Sequence, residues 1–218
     1  MIRLENLTKS FWVNGQRKVV IDNLNLTLPT GASLALLGRN GAGKSTLLEI
    51  IAGNLPPDSG RVVSDGVISF PVGLGGAFHR DLTGAQNVRF VARIYGVDTQ
   101  SLVEFVEDFA ELGPHFNAPL RTYSSGMRSR LGFGVSMGIR FDTYLVDEAT
   151  STGDAAFRAK SKAVFRARMA ESGSVMVNHN LNELREYCDA GLVLEHGQLS
   201  YFDNVDDAIA FHEEQMAR

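Results

Sequence analysis

Cysteine is nearly absent from this sequence: Cys188 is the one example among 218 residues. A single cysteine excludes an internal disulfide, so the chain shows no sign of an oxidising compartment and we expect a cytoplasmic protein. A lone cysteine is more often a small buried residue than a nucleophile. Cys188 is therefore predicted to pack in the core.

Long apolar runs and an excess of positive charge are also missing. No window approaches the ~18 apolar residues of a membrane span, and Met1–Asn6 lacks the pattern of a signal peptide. The net charge of −4 does not indicate the excess of positive charge that is typical of nucleic-acid-binding proteins. The chain is long enough to bury a core as one domain, or as one domain with an inserted lobe.

The sequence does contain a phosphate-loop pattern. Residues 38–46, GRNGAGKST, match G-x-x-x-x-G-K-[ST] at every fixed position. Its glycines let backbone N–H groups turn inward around an anion, while Lys44 can reach the β- and γ-phosphates and the Ser45 hydroxyl can ligate Mg²⁺. The residues of the loop predicted to bind a nucleotide are Gly38, Asn40, Gly41, Ala42, Gly43, Lys44, Ser45 and Thr46.

The flanking segments agree with this interpretation. Residues 32–37 predict a buried parallel strand that enters the loop, and Leu47, Leu48, Ile50 and Ile51 predict a helix with one apolar face. The N-terminus of that helix points its positive end at the same phosphates.

Further strands are predicted on both sides of the loop. The region before it suggests three short strands, around residues 4–11, 19–21 and 24–28, and residues 61–70 suggest a hairpin around Asp65 and Gly66. Later apolar strands at 144–146, 175–177 and 191–194 alternate with helices. The parallel sheet that this implies puts functional loops at the carboxyl ends of its strands.

Residues from about 80 to 140 have a different, helical character. Leu102, Phe105, Val106, Phe109 and Leu112 recur at helical spacing. This helix is predicted to begin at Asp98 or Thr99 and to end before Gly113-Pro114. We interpret the region as a helical insertion between nucleotide-binding elements.

Two acids end the strand at residues 144–146. Asp147 is placed to hold Mg²⁺, directly or through water, and Glu148 to activate a water for attack on the γ-phosphate. Taken alone, they could equally be solvated acids. His179 follows the strand at 175–177 and could donate a hydrogen bond to the γ-phosphate, although a lone histidine at a strand end is more often an ordinary polar residue.

A serine and glycine segment opens another predicted helix. Ser124, Ser125 and Gly126 could form an anion site at the helix N-terminus, or Ser124 could be an ordinary N-cap.

The order of these motifs resembles that of an ABC-transporter nucleotide-binding domain over nearly the whole chain. In that resemblance, Ser124 and Gly126 match the signature motif, His179 matches the switch histidine, and residues 151–154, which end in Asp154, match the D-loop. Phe11 matches the aromatic A-loop that stacks on adenine. Trp12 is the alternative, and Phe11 could also be a strand-core aromatic.

The resemblance implies an α/β fold with a P-loop NTPase (RecA-like) core, an N-terminal antiparallel β-subdomain and an α-helical subdomain inserted at about 80–140, all within one domain spanning 1–218. It implies ATP and Mg²⁺ as cofactors. The catalytic residues would be Lys44, Glu148 and His179, and the metal ligands Ser45 and Asp147. Two copies would sandwich two ATP molecules head to tail, docked on an integral membrane permease at the cytoplasmic face of the inner membrane.

One subfamily is more similar than the rest. Residues 147–161, residues 78–87 and the pair Arg39-Asn40 resemble the ATPases of bacterial polysaccharide exporters. Some of those carry an extra C-terminal sugar-binding domain, for which the residues after Phe211 leave no room. The chain therefore resembles the short capsule-exporter ATPase. Envelope-spanning export proteins would be further partners, and neither nucleic acid nor direct contact with the cargo is expected.

The sequence departs from the family pattern in two motifs. In the signature, Ser125 takes a glycine position and Met127 a glutamine position, and methionine is only a weak acceptor. The Q-loop lacks its glutamine: residues 71–77 read PVGLGGA, with Gly73 at the expected position, and Gln86 lies too far along. We interpret this segment as a flexible coupling loop.

Two other functions stay open on the sequence alone. One is a soluble ABC ATPase that remodels a macromolecular assembly. Such chains often carry tandem nucleotide-binding domains, a coiled coil or basic arms, and this sequence has none of these. The other is an ABC transporter ATPase for a different cargo, because the ATPase does not touch the cargo.

Overall fold

The computed structural model describes residues 1–73, 78–147 and 155–217, and the chain divides into two units. The described part of the first unit comprises residues 1–71, 141–147 and 169–217, and it holds both β-sheets. The second comprises 72–73, 78–140 and 155–168 and is helical. One domain with an insertion at about 80–140 stays a prediction.

A three-stranded antiparallel sheet begins the first unit, in the order β2-β1-β4. Strands β1 (Ile2–Val13) and β2 (Gln16–Leu28) are joined by Asn14 and Gly15, both with positive φ, a pair that suits a two-residue hairpin. The expectation of three short strands was wrong. These are two long strands whose pairing is interrupted by register shifts, and the shifts break the apolar alternation into pieces.

The predicted hairpin around Asp65 and Gly66 was also wrong. Strand β4 (Ser59–Ser64) pairs with β1, whereas β5 (Ile68–Pro71) pairs with β6 (Thr143–Asp147) of the other sheet. The Asp65-Gly66 segment therefore connects two sheets. Local turn residues could not reveal this, because both partners lie far away in sequence.

A six-stranded sheet forms the centre of the first unit. Its strand order is β5, β6, β7 (Gly173–Val177), β3 (Ser33–Leu37), β8 (Ala190–Glu195) and β9 (Gln198–Phe202). Its pairs are parallel except for the antiparallel edge strand β9. Every residue of β3 and β7 is buried, as expected for parallel strands.

Three helices complete the first unit. They are α1 (Lys44–Ile51), α6 (Leu181–Tyr187) and α7 (Val205–Ala217). The four predicted apolar residues of α1 are buried in the core, and α7 buries Ala208 and Ile209. Cys188 is only 5% exposed, and burial raises the pKa of its thiol to about 12, in agreement with a packing residue.

Helices α2 (Gly84–Tyr95), α3 (Thr99–Ala110) and α4 (Ser125–Gly138) build the second unit, together with residues 155–168 of α5 (Ala155–Glu171). The Asp98 side chain caps α3, which settles the predicted choice between Asp98 and Thr99. Phe109 is the centre of the core, with ring centroids 5.8 Å from Phe133 and 5.4 Å from Phe157.

The side chain of Asn87 is hydrogen-bonded to the loop that precedes α2. The buried Asn87 side chain accepts a hydrogen bond from the His79 N–H and donates to the carbonyls of His79, Leu82 and Thr83. Thr83 and Gln86 add a capping box at the start of the helix. No helix within the described ranges is both long and apolar enough to cross a membrane.

Candidate nucleotide-binding site

A cavity of about 540 Å³ opens in the first unit at the carboxyl ends of its parallel strands. The phosphate loop, the tip of the β1–β2 hairpin and the ends of β6 and β7 surround it. The described residues that line it are Phe11, Val13, Lys18, Val20, Asn40, Gly41, Gly43, Lys44, Ser45, Thr46, Asp147, Val177 and His179.

The phosphate loop connects β3 to α1, and its backbone geometry requires glycine. At Gly43, with φ of +110°, a Cβ atom would lie 2.1 Å from Val20 Cγ1. At Gly38 it would lie 2.5 Å from the Leu194 carbonyl oxygen. Gly43 is the N-cap of α1 and makes no side-chain cap, so the first turn of the helix suits an anion.

Lys44 lies across the base of this loop. Its Nζ donates to the carbonyl oxygens of Gly38, at 2.7 Å, and Arg39, at 3.3 Å. Burial, and then the positive charge of Lys44, lower the pKa of His212 on α7. Of the predicted loop residues, Gly38 and Ala42 do not line the cavity, while the other six do.

The hairpin supplies an apolar end to the cavity. Phe11 and Val13, two residues apart in β1, face it together with Val20, and Phe11 remains 37% exposed. Trp12 points to the opposite face of the strand and is 76% exposed. Of the two aromatic residues left open by the sequence, Phe11 lines the cavity and Trp12 does not.

Two polar side chains close the cavity at the strand ends. Asp147 is the last residue of β6, and His179 comes two residues after the end of β7. The turn that carries His179 is well fixed, because Asn178 donates to Glu183, at 2.7 Å, and accepts from the Asn180 N–H, at 2.8 Å. Asn180 then caps α6.

Not every predicted residue can be placed at this cavity. Glu148 and Asp154 lie outside the described residues, as do residues 74–77 of the Q-loop segment. Ser124, Ser125 and Gly126 belong to the second unit, at the start of α4, where the Ser124 hydroxyl accepts from the Met127 N–H at 3.2 Å. Gly73 has φ of +82° and its N–H donates to Ser136 Oγ at 3.4 Å.

Four of the described cavity residues were not predicted as site residues: Val177 at the end of β7, and the hairpin residues Val13, Lys18 and Val20. A signal for the hairpin residues was present: Asn14-Gly15 is a strong indicator of a two-residue hairpin, which puts Phe11 opposite Lys18. The strand on the far side of the hairpin could then have been assigned to the same face.

The strand–loop–helix unit and the cavity around it define a P-loop nucleotide-binding protein of the α/β class. Comparisons with known proteins narrow this class. The sequence profile of the ABC transporter family matches residues 21–151. Among solved structures, the ATP-binding cassette MJ0796, in a dimeric post-hydrolysis state with ADP and Pi, has a TM-score of 0.76 at 21% identity, covering 94% of this chain and 99% of that chain. The predicted fold class is thereby confirmed.

Curated relatives match along nearly the whole chain. The polysialic acid transport ATP-binding protein KpsT of Escherichia coli is 50% identical, covering 96% of this chain and 95% of KpsT. The ATP-binding protein BexA of Haemophilus influenzae is 39% identical, covering 98% of this chain and 99% of BexA. The capsule polysaccharide export ATP-binding protein CtrD of Neisseria meningitidis is 37% identical, covering 97% of this chain and 98% of CtrD. The chain belongs to the ABC transporter family, as one of its ATP-binding ATPases.

Proposed function

We propose that the chain is the ATP-hydrolysing subunit of a bacterial ABC transporter that exports capsular polysaccharide. One observation carries the ATPase part: a single cavity gathers an exposed aromatic ring, the phosphate loop, a strand-end carboxylate and a histidine. The assignment of the cargo is supported by the relatives, whose names refer to polysialic acid and capsule polysaccharide. The transporter would act from the cytoplasmic face of the inner membrane.

The nucleotide lies along this cavity from the hairpin to the strand ends. Phe11 stacks on the adenine ring. The phosphate loop and Lys44 hold the β- and γ-phosphates, because inward N–H groups and an ammonium suit an anion. A phosphate oxygen is an ionised acceptor, and so binds the Lys44 ammonium more strongly than the neutral loop carbonyls do.

Mg²⁺ fits the donors that are present. Ser45 and Asp147 both line the cavity and offer hard oxygen ligands, the type that Mg²⁺ binds together with substrate phosphates. Within the described ranges no cluster of three or more His, Cys, Asp or Glu could hold a metal, which suits an ion bound mainly through ATP. When bound, Mg²⁺ would neutralise charge that develops on the phosphates.

Hydrolysis needs a base and a hydrogen-bond donor near the γ-phosphate. Glu148 takes a proton from the attacking water, and His179 donates a hydrogen bond to the γ-phosphate. Ser124, Ser125 and Gly126 of a second copy complete the site, with Asp154 at the contact between copies. ATP then joins two copies, and hydrolysis releases them, which drives the permease subunit and the envelope-spanning export proteins beyond it.

The first test is a trapped complex. Glu148→Gln should keep ATP binding and slow hydrolysis by roughly 10²–10⁴, the usual contribution of one general base. A tagged Glu148→Gln chain, loaded with ATP in its host and extracted in mild detergent, should co-purify with a multi-span membrane subunit and capsule-export components. The matched control is Glu148→Gln combined with Lys44→Ala, which should lose ATP and the trapped complex.

Other partners would change the conclusion in a defined way. A permease of another transport system would keep the ATPase mechanism and overturn the cargo. Ribosomal, DNA-bound or cluster-assembly partners without a membrane protein would overturn the transporter and favour a remodelling ATPase. If Glu148→Gln hydrolyses ATP at the wild-type rate, Glu148 is not the general base.

A further inference from the structure

A second lysine reaches the nucleotide cavity, and no motif of the phosphate loop includes it. Lys18 lies on β2 directly opposite Phe11 on β1. Opposed residues of an antiparallel pair share a face of the sheet, so Lys18 and Phe11 both line the cavity. Its neighbour Arg17 lies opposite Trp12, and the Arg17 Nε donates to Ser10 Oγ at 3.0 Å.

The Lys18 ammonium extends from the hairpin to the tip of the phosphate loop. Its Nζ donates to the Gly41 carbonyl oxygen at 3.4 Å, a long bond to a neutral acceptor. Lys44 instead contacts the carbonyls of Gly38 and Arg39, where the loop leaves β3. Among the described residues around the cavity, these are the two lysine or arginine side chains, and they contact different residues of the loop.

This spacing matches the order of groups along a nucleotide. The base lies at Phe11 and the β- and γ-phosphates at Lys44, so the ribose and α-phosphate occupy the stretch between them. Lys18 begins beside Phe11 and its ammonium reaches the loop at Gly41, so we assign it to that stretch. A phosphate oxygen there would be a stronger partner for its ammonium than the Gly41 carbonyl is.

We propose that Lys18 binds the α-phosphate of the nucleotide and thereby strengthens ATP and ADP binding equally. The proposal rests on the proposed nucleotide site, and it names a binding residue outside the loop. Lys18 takes no part in bond cleavage, because it contacts the α-phosphate, the phosphate next to the nucleoside, whereas the bond that breaks joins the β- and γ-phosphates. Its role is to hold the nucleotide in register between the aromatic ring and the loop.

Titration of the purified full chain with Mg-ATP and Mg-ADP tests this role. Lys18→Met should raise Kd for both nucleotides by about tenfold, between the effect of a screened surface pair and that of a desolvated charged hydrogen bond. Lys18→Arg keeps the cation and should stay close to the wild type. Added salt should weaken wild-type binding more steeply than Lys18→Met binding.

Arg17→Met is the matched control, since it removes the same charge from the adjacent residue on the other face of the hairpin. It should bind both nucleotides as the wild type does, and both variants should melt at the wild-type temperature. Equal Kd values for Lys18→Met and Arg17→Met would overturn the proposal. A loss confined to ATP would overturn the assignment to the α-phosphate.

The proposed nucleotide site can fail separately. Lys44→Ala should bind both nucleotides more weakly than the wild type. If the wild type fails to bind ATP, or if Lys44→Ala binds it equally well, the nucleotide site itself is refuted. If Lys44→Ala raises Kd for both nucleotides and Lys18→Met leaves Kd unchanged, only the role of Lys18 is refuted.

Discussion

His179 reaches the nucleotide cavity from a turn whose neighbours are fixed by hydrogen bonds. Because Asn178 and Asn180 hold that turn, His179→Ala should remove the imidazole without moving the backbone. ATP binding should persist, since the loop and Lys44 remain. The ATPase rate should fall by roughly 10²-fold or more, the effect of losing one donor to developing negative charge. Steady-state kcat, with ATP titration beside it, measures this.

His115 provides the comparison for that variant. It is an exposed histidine of the second unit whose side chain is not assigned to the site, so His115→Ala should turn over normally. An ATPase rate near wild type in His179→Ala would refute the assignment of His179. A loss of ATP binding in that variant would instead make it a binding residue.

Site residues were predictable from the sequence where a motif fixes them. The spacing of the phosphate loop identified Lys44 and Ser45, and the strand-end position identified Asp147 and His179, all of which line one cavity. The choice between Phe11 and Trp12 needed the strand pairing, because adjacent residues face opposite sides. Lys18 belongs to no motif and becomes visible only through its cross-strand partner.

At the scale of elements, the loop before α2 depends on one buried side chain. Asn87 is 1% exposed and makes four hydrogen bonds to the backbone of His79, Leu82 and Thr83. The loop is further tied to the segment before α4, since the Leu120 N–H donates to the Leu82 carbonyl and the Arg121 N–H to the Arg80 carbonyl. The Asn87 side chain and these two backbone bonds therefore hold residues 79–83 against the start of α2 and the segment before α4.

Asn87→Ala should destabilise the second unit by about 2–4 kcal/mol, because it leaves several buried backbone groups without partners. Urea unfolding followed by circular dichroism measures the loss. Gln86→Ala, one residue away, removes only the capping-box partner and should cost about 0.5–1 kcal/mol. Equal stability of the two variants would show that Asn87 does not hold the loop.

Elements with a strong local pattern were predicted correctly, and those defined by distant partners were not. Helix α1 and strands β3, β6, β7 and β8 followed from apolar runs and the loop motif. The long hairpin and the separation of β4 from β5 were missed, because register shifts and sheet membership depend on residues far away in sequence. Helical spacing identified α3, and a single capping side chain then fixed its start.

At the scale of the whole molecule, the proposed site needs a second copy, and Gly126 allows this to be tested without disturbing the fold. Among the described residues, the atom nearest to a Cβ built at Gly126 would be Ser124 Oγ, at 3.9 Å. Gly126→Asp is therefore accommodated, and an acid in the first turn of α4 suits the helix dipole. Its charge would repel the γ-phosphate held by the partner copy.

Glu148→Gln with ATP should migrate at twice the 23.8 kDa chain mass in size exclusion with light scattering, and Glu148→Gln/Gly126→Asp should remain at the mass of one chain. ATP binding by the double variant should be unchanged. Gln100→Asp adds the same charge to the first turn of α3 and should leave the dimer intact. If Glu148→Gln/Gly126→Asp still forms the dimer with ATP, the signature segment does not contribute to the contact between the copies.

The position of Trp12 has an optical consequence. It is the one tryptophan in the sequence, it is largely exposed, and its chain neighbour Phe11 faces the nucleotide cavity. All indole emission from the protein therefore originates at the tip of this hairpin. We expect a nucleotide that binds beside Phe11 to change this emission, and titration with ATP under tryptophan excitation measures the change without a dye or a second tryptophan as background.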